Sequence, residues 1–215
     1  MLTDRFVTVS IVVEPSEKIG LRRKRDMCAD SGKGGKAVNF IQNIDWAILH
    51  FIRDNLFCPF LDSVMPIISA LGNKGIIWIA ISAALLFSKK YRKYGLLCLC
   101  GMLIGLLVGN VAIKSLVARP RPCWTENISL LIKNPTDFSF PSGHTLSSVI
   151  SAVILCSAGR KFAAFAIPLA AFIAISRLYL YVHFPSDVIF AALLGIAIGF
   201  MTLALSKKVK AIQKL

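Results

Sequence analysis

Residues 94–113 read YGLLCLCGMLIGLLVGNVAI, twenty consecutive residues without a charged side chain. A second uncharged run of nineteen residues covers 188–206. An α-helix rises about 1.5 Å per residue, so either run can cross the ~30 Å hydrocarbon core of a bilayer. The 215 residues are 56% hydrophobic, with a mean hydropathy of +0.69. The chain is therefore predicted to be a multi-pass membrane protein with one domain.

Other apolar segments complete the predicted architecture. We expect crossings at about 56–71, 75–88, 94–117, 143–158, 162–181 and 187–206, of which the first is the weakest because it contains Asp62. Residues 40–57 are amphipathic, which favours a helix in the membrane interface. The predicted fold is an all-α bundle of about six transmembrane helices with an N-terminal amphipathic interfacial helix.

Basic residues predict the orientation. They fill the segments 89–93 and 160–161 and follow the last span at 207–214. Because such residues favour the cytoplasmic side, the loops at 118–142 and 182–186 are expected outside the plasma membrane. Both termini are then cytoplasmic.

The expected domain boundaries follow from the same pattern. Residues 1–39 are expected to be a basic, poorly ordered tail, unless the true start lies further along the chain; 40–206 form the membrane domain, and 207–215 a basic C-terminus. The net charge of +14 does not indicate nucleic acid, since no basic helix carries base-reading side chains.

Three polar clusters lie at the edges of apolar segments. The first contains Lys114, Arg121 and Pro122, and the prolines around Arg121 prevent a regular helix from continuing through it. Lysine and arginine together can bind a phosphate group. Alternatively, Lys114 snorkels and the arginines contact lipid headgroups.

The second cluster is Pro141-Ser142-Gly143-His144, which precedes a helical pattern. Ser142 fits the N-cap position, and the free N–H groups that follow form an anion site. Gly143 allows close approach of an anion to the backbone. The alternative is a simple helix cap with an interfacial histidine.

The third cluster comprises Ser176-Arg177, His183 and Asp187. Only fifteen uncharged residues precede Arg177, so its guanidinium lies near the hydrocarbon edge, where a bound anion would relieve its cost. If Pro185 opens the last helix, Asp187 can accept a hydrogen bond from His183 and leave the other ring nitrogen free to attack. A purely structural His–Asp pair is the alternative.

The order and spacing of the three clusters resemble the type 2 phosphatidic acid phosphatase superfamily of integral membrane lipid phosphatases. That family has lysine, six residues, Arg-Pro; then Pro-Ser-Gly-His; then Ser-Arg, five residues, histidine, three residues, aspartate. Residues 114–122, 141–144 and 176–187 match without departure. Arg119 is a rival to Arg121, which the family spacing selects.

The resemblance implies a role for each residue. His183 is the nucleophile that forms a phosphohistidine, Asp187 orients it, and His144 is the general acid and base. The phosphate-binding residues are Lys114, Arg121, Ser142, Gly143 and Arg177. No metal or other cofactor is expected, because the cations and the helix N-terminus supply the positive charge.

The resemblance also implies a substrate class. A site at the external membrane edge favours a lipid phosphate or diphosphate, with undecaprenyl diphosphate of cell-wall biogenesis first and phosphatidylglycerophosphate or phosphatidic acid as alternatives. No obligate protein partner is inferred. Two other classes of protein are alternatives. A non-catalytic lipid-binding or transport protein is disfavoured because the motifs lie at the ends of the spans and not at mid-membrane. A vanadium haloperoxidase is disfavoured by the long apolar spans.

Overall fold

A computed structural model describes residues 33–126 and 128–208 of the chain, with side chains from residue 38 onward. Every regular element among these residues is helical. The α-helices are α1 (Lys33–Leu56), α2 (Pro59–Leu71), α3 (Ile76–Leu86), α4 (Arg92–Gly105), α5 (Lys114–Val117), α6 (Pro122–Thr125), α7 (Gly143–Cys156), α8 (Arg160–Tyr179) and α9 (Pro185–Lys208). A 3₁₀ turn, Asn73–Gly75, precedes α3, and a π-helix, Leu106–Ile113, joins α4 to α5. The all-helical prediction is confirmed, whereas the basic tail up to residue 32 lies outside the described residues.

The helices differ in whether they can cross a membrane. Among the described residues, three segments are long and apolar enough to span one, namely Arg92–Thr125, Arg160–Tyr179 and Pro185–Lys208. The helices Pro59–Leu71 and Asn73–Leu86 qualify only together, across a bend of 45°. The 13 residues of α2 rise about 20 Å, which is short of the hydrocarbon thickness. The six-span count therefore stays a prediction.

Helix α1 contacts two segments that carry the motifs. The chain divides into the units Met1–Asn43 and Ile44–Leu215, and the second contains all three motifs. Within it, Asp45 on α1 accepts hydrogen bonds from Arg119 and from Ser186. Arg119 lies in the loop of the first motif, and Ser186 lies in the first turn of α9, next to the third motif. The part of α1 from Ile44 onward thus lies at the end of the bundle that carries these two motifs.

Helix α7 is the centre of the bundle, and it carries the second motif at its first turn. Side chains from α7 are buried against its neighbours, including Leu146, Ile150 and Ile154. On one side it meets α4 and the π-helix, where a Cβ added to Gly105 or Gly109 would lie 2.5 Å from Ile150 or 2.3 Å from Leu146. A side chain at either glycine would therefore displace the terminal methyl groups of these two residues.

Helix α9 approaches α7 in the same way from the other side. A Cβ at Gly195 would lie 2.9 Å from Val149 Cβ, and one at Gly199 would lie 2.8 Å from Val153 Cβ. Small residues four apart let two membrane helices approach closely, which is how such helices gain packing energy. Helix α7 is thereby held between two rows of glycine, and its N-terminus is fixed next to the third motif.

This packing predicts a loss of stability when Gly199 is enlarged. The change Gly199→Leu should destabilise the protein by roughly 1–3 kcal/mol, because the added side chain forces α9 away from Val153. Thermal unfolding in detergent measures the effect. The neighbouring change Phe200→Leu is the control, since Phe200 is 61% exposed on the outer surface. Equal melting temperatures for the two variants would contradict this account of the helix packing.

Candidate active site

The three motifs converge on one cavity of about 940 Å³. Six of the eight predicted site residues line it: Lys114, Arg121, Gly143, His144, Arg177 and His183. Ser142 and Asp187 are fully buried and do not belong to the lining. The structure thus brings together residues from helix ends that are far apart in sequence.

Helix geometry places the first two cations. Helix α5 ends at Val117, and the chain turns at its C-cap residue Ala118, which has a left-handed φ of 46°. Arg121 then takes an extended conformation as the N-cap of α6, with Pro122 following. This turn directs the guanidinium back toward Lys114, and the prolines restrict the loop as the sequence predicts.

The first turn of α7 presents unused N–H groups to the cavity. Ser142 occupies the N-cap position, but its hydroxyl accepts a hydrogen bond from the Thr145 hydroxyl at 3.1 Å instead of capping the backbone. The N–H groups of Gly143 and His144 therefore have no intrahelical acceptor and can bind an anion. A Cβ at Gly143 would lie 3.0 Å from the side-chain amide of Asn110.

His183 is held with one ring nitrogen free of protons. Arg121 Nη1 lies 3.2 Å from His183 Nε2, and because a guanidinium only donates, Nε2 must be the acceptor. The ring proton of the neutral form is therefore on Nδ1. Burial, together with the nearby charges of Arg121 and Arg177, lowers the pKa of His183 well below its ordinary value.

The predicted contact between His183 and Asp187 is not a direct hydrogen bond. Nδ1 lies 3.7 Å from Asp187 Oδ2, which is too long. The hydroxyl of Ser139 lies between them, 3.4 Å from Nδ1 and 2.5 Å from Oδ2. Since Asp187 Oδ2 also accepts from the Phe184 N–H at 2.9 Å, the carboxylate caps α9 in addition to facing the histidine.

Arg119 belongs to a different part of the site from Arg121. Its guanidinium donates to Asp187 Oδ1 at 2.5 Å and to Asp45 Oδ2 at 2.6 Å, and it is absent from the cavity lining. Arg119 therefore compensates the charge of two buried carboxylates. In this geometry Arg121, and not its rival Arg119, faces the cavity.

Asp137 is the anionic partner of the first motif. Its carboxylate oxygens lie 2.6 Å from Lys114 Nζ and 2.8 Å from Arg121 Nη2. Partial burial alone would raise the pKa of Asp137, but the hydrogen bond from Lys114 and the charge of Arg121 lower it to about 2. The carboxylate is thus ionised throughout the physiological pH range.

Arg177 is the most isolated of the cations. It is 4% exposed, and its Nη1 donates to the Ser69 hydroxyl. Its Nε is fully buried without a hydrogen-bond partner, and no described carboxylate forms an ion pair with it. A buried cation without a counterion is costly, and an anion in the cavity would remove that cost.

The cavity also has a polar neighbour for His144 and a long apolar side. The 3₁₀ turn supplies Asn73, whose Oδ1 accepts a hydrogen bond from His144 Nε2 at 3.0 Å.

The apolar side of the cavity is formed by α3, α4, the π-helix and α7. Its side chains are Ile79, Leu99, Met102, Leu103, Leu106 and Ile150. Among the described residues, no three His, Cys, Asp or Glu side chains are grouped as metal ligands would be.

The sequence analysis missed several of these residues. They are Asp45, Ser69, Asn73, Asn110, Asp137 and Ser139. An aspartate in an otherwise apolar stretch was a usable signal at position 45, since a buried carboxylate needs a partner. The serine and asparagine residues carried no such signal, because their significance depends on contacts between distant helix ends.

The sequence of this chain is similar to those of known proteins. Residues 95–211, more than half of the chain, match the family model described as the PAP2 superfamily. An undecaprenyl-diphosphatase of Sulfolobus acidocaldarius is 35% identical over 144 residues, which cover 66% of this chain and 69% of that protein. Phosphatidylglycerophosphatase B of Bacillus subtilis is 28% identical over 194 residues, covering 80% and 88%.

Two crystal structures have the same fold. The PAP2-type phosphatidylglycerolphosphate phosphatase of Bacillus subtilis superimposes with a TM-score of 0.66 at 27% identity, covering 90% of this chain and 96% of that one. LpxE of Aquifex aeolicus gives 0.67 at 25% identity, covering 75% and 95%. Together with the family match and the convergence of the motifs, these likenesses show that the chain belongs to the PAP2 superfamily and is a membrane lipid phosphatase.

Proposed function

We propose that this protein hydrolyses a lipid phosphate or diphosphate through a phosphohistidine intermediate, with the site on the external face of the plasma membrane. The observation that carries the proposal is the buried Arg177 with an unpaired Nε, next to Lys114 and Arg121. Positive charge at one end of a cavity whose side is apolar fits a ligand with a phosphate head and a hydrocarbon tail.

The first chemical step begins at His183. Its Nε2 lone pair attacks the terminal phosphorus, and the bond from phosphorus to the leaving oxygen breaks. His144 gives a proton to that oxygen. Lys114, Arg121, Arg177 and the N–H groups at the start of α7 hold the equatorial oxygens and stabilise the charge that builds on them.

Asp187 supports the same step from the other side of the ring. As Nε2 forms its bond to phosphorus, the imidazole becomes positively charged, and Nδ1–H faces the Ser139 hydroxyl and the carboxylate beyond it. In the second step His144 removes a proton from water, which attacks phosphorus and releases His183. Free phosphate is the final product.

For the physiological substrate we favour undecaprenyl diphosphate. Supporting this choice, relatives called undecaprenyl-diphosphatase include one from Sulfolobus acidocaldarius and one from Bacillus subtilis, the latter 27% identical over 141 residues. The alternative is phosphatidylglycerophosphate, which the similarity to phosphatidylglycerophosphatase B over 80% of the chain favours. A panel of both lipids and phosphatidic acid distinguishes these substrates by their kcat/KM values.

Replacement of the nucleophile provides the first test. The purified protein should release phosphate from an isoprenoid diphosphate in the presence of EDTA, and His183→Ala should abolish the release. Phosphate release in a malachite green assay measures both. The control is His50→Ala, because His50 bonds Glu126 outside the cavity. Full activity of the His183 variant would refute the mechanism, and no phosphate release by the wild type would leave a lipid-binding protein. Loss of activity in EDTA would contradict metal independence.

Removal of the Ser139 hydroxyl should affect kcat more than KM. In Ser139→Ala the imidazole loses its link to Asp187, and misplacement of a reacting group costs about ten- to a hundredfold in rate. The phosphate-binding cations are untouched, so KM should stay within about twofold. Ser139→Thr, which keeps a hydroxyl, should recover part of kcat. A rise in KM at unchanged kcat would instead assign Ser139 to substrate binding.

The low pKa of His183 predicts the acid limb of the pH profile. Because burial and the charges of Arg121 and Arg177 hold this pKa well below its ordinary range, Nε2 stays unprotonated at mildly acidic pH. The acid limb of kcat/KM should therefore lie below about 6.5, the usual imidazole pKa. The ionisation of the substrate phosphate is measured by ³¹P NMR, and the pH profile of kcat/KM is corrected for it. A corrected limb at or above 6.5 would contradict this environment for His183.

A further inference from the structure

The phosphate-binding end of the cavity is already occupied by an anion of the protein itself. Asp137 joins Lys114 and Arg121 with distances of 2.6 and 2.8 Å. A bound phosphate would need these same donors. A phosphate that accepts the Lys114 and Arg121 hydrogens now bonded to Asp137 must displace this carboxylate.

The competition between Asp137 and a phosphate can be followed by counting the N–H groups of Arg121. Nε donates to the Asp137 backbone carbonyl at 2.7 Å, and Nη2 to its carboxylate. Nη1 donates to the Val182 carbonyl at 2.6 Å and to His183 Nε2 at 3.2 Å. A guanidinium has five N–H groups, so the carboxylate occupies one of the two that are not engaged by the backbone or by His183. A bidentate contact with phosphate requires that the carboxylate leave.

The surroundings of Asp137 permit it to leave. Its side chain is 56% exposed, whereas those of Lys114 and Arg121 are only 10% and 3% exposed. The backbone carbonyl keeps its hydrogen bond from Arg121 Nε while the side chain rotates about χ1. The two cations are therefore fixed, and the anion is the part of the ion pair that can move into solvent.

We propose that Asp137 is a specificity-determining residue whose carboxylate is exchanged for the terminal phosphate of the substrate and excludes phosphodiester lipids. This inference rests on the proposed function. The resident carboxylate carries one negative charge, and a phosphodiester headgroup also carries one at its phosphate, so exchange gains no charge. A terminal phosphate carries about 1.5 to 2 negative charges at neutral pH. Only this ligand gains electrostatically when it replaces Asp137, and the diester lipids of the membrane do not block the site.

The test compares Asp137→Asn and Asp137→Ala with the wild type and with Glu126→Gln. Glu126 is an acidic residue of the same loop that bonds His50 and Tyr181 outside the cavity. Two probes are used on the full-length protein in detergent: inorganic phosphate, followed by calorimetric titration, and phosphatidylglycerol in mixed micelles, followed as an inhibitor of lipid phosphate hydrolysis.

Both Asp137 variants should bind inorganic phosphate about tenfold more tightly than the wild type, since the competing charge-assisted hydrogen bonds are gone. Phosphatidylglycerol should inhibit these variants and not the wild type or Glu126→Gln. Phosphate should also raise the melting temperature of the Asp137 variants by more than that of the wild type.

Unchanged or weaker phosphate binding in both variants would overturn the proposal, as would equal inhibition of all four proteins by phosphatidylglycerol. The calorimetric titration with phosphate does not require turnover. It therefore tests the exchange at Asp137 separately from the proposed hydrolysis. Tighter phosphate binding in a protein that hydrolyses no lipid phosphate would refute the proposed function and retain the exchange. Normal hydrolysis by the wild type with identical binding constants would refute only the exchange.

Discussion

Buried positive charge at one end of an apolar helix bundle is the constraint on which the site depends. Lys114, Arg121 and Arg177 are 8%, 2% and 4% exposed, and within the described part of the chain only the first two have a carboxylate partner. Burying a cation without a counterion is among the most expensive arrangements in a protein. The site is therefore suited to an anion, and in the proposed mechanism this preorganised charge lowers the barrier of phosphoryl transfer.

A second buried charge lies behind the imidazole of His183. Asp187 receives hydrogen bonds from Arg119, Ser139 and the backbone of Phe184, so it joins the first loop, the segment before α7 and the start of α9. Arg119 in turn contacts Asp45 on α1. The cations on the cavity side and the carboxylates behind His183 are thus separate. In the proposed mechanism the former bind phosphate, and the latter orient the ring and balance its charge.

Much of this arrangement could be predicted from the sequence, and the rest has identifiable physical causes. The charge-free runs predicted membrane helices because hydrocarbon thickness sets a minimum length. The resemblance of the motif spacing to that of the lipid phosphatase family brought Arg121, His144 and His183 into the prediction. The bridge by Ser139, the ion pair of Asp137 and the location of α1 depend on contacts between segments distant in sequence, so periodicity and spacing did not reveal them. The crossing count depends on whether the bent pair α2 and α3 acts as one span.

Direct detection of the covalent intermediate is the measurement that tests the central claim most closely. The enzyme is mixed with a lipid phosphate labelled with ³²P on its terminal phosphate, quenched within milliseconds in alkali, and digested. The account predicts a base-stable, acid-labile label on the peptide that contains His183. Turnover with no label on the protein, or label on His144, would contradict the assignment of His183 as the nucleophile.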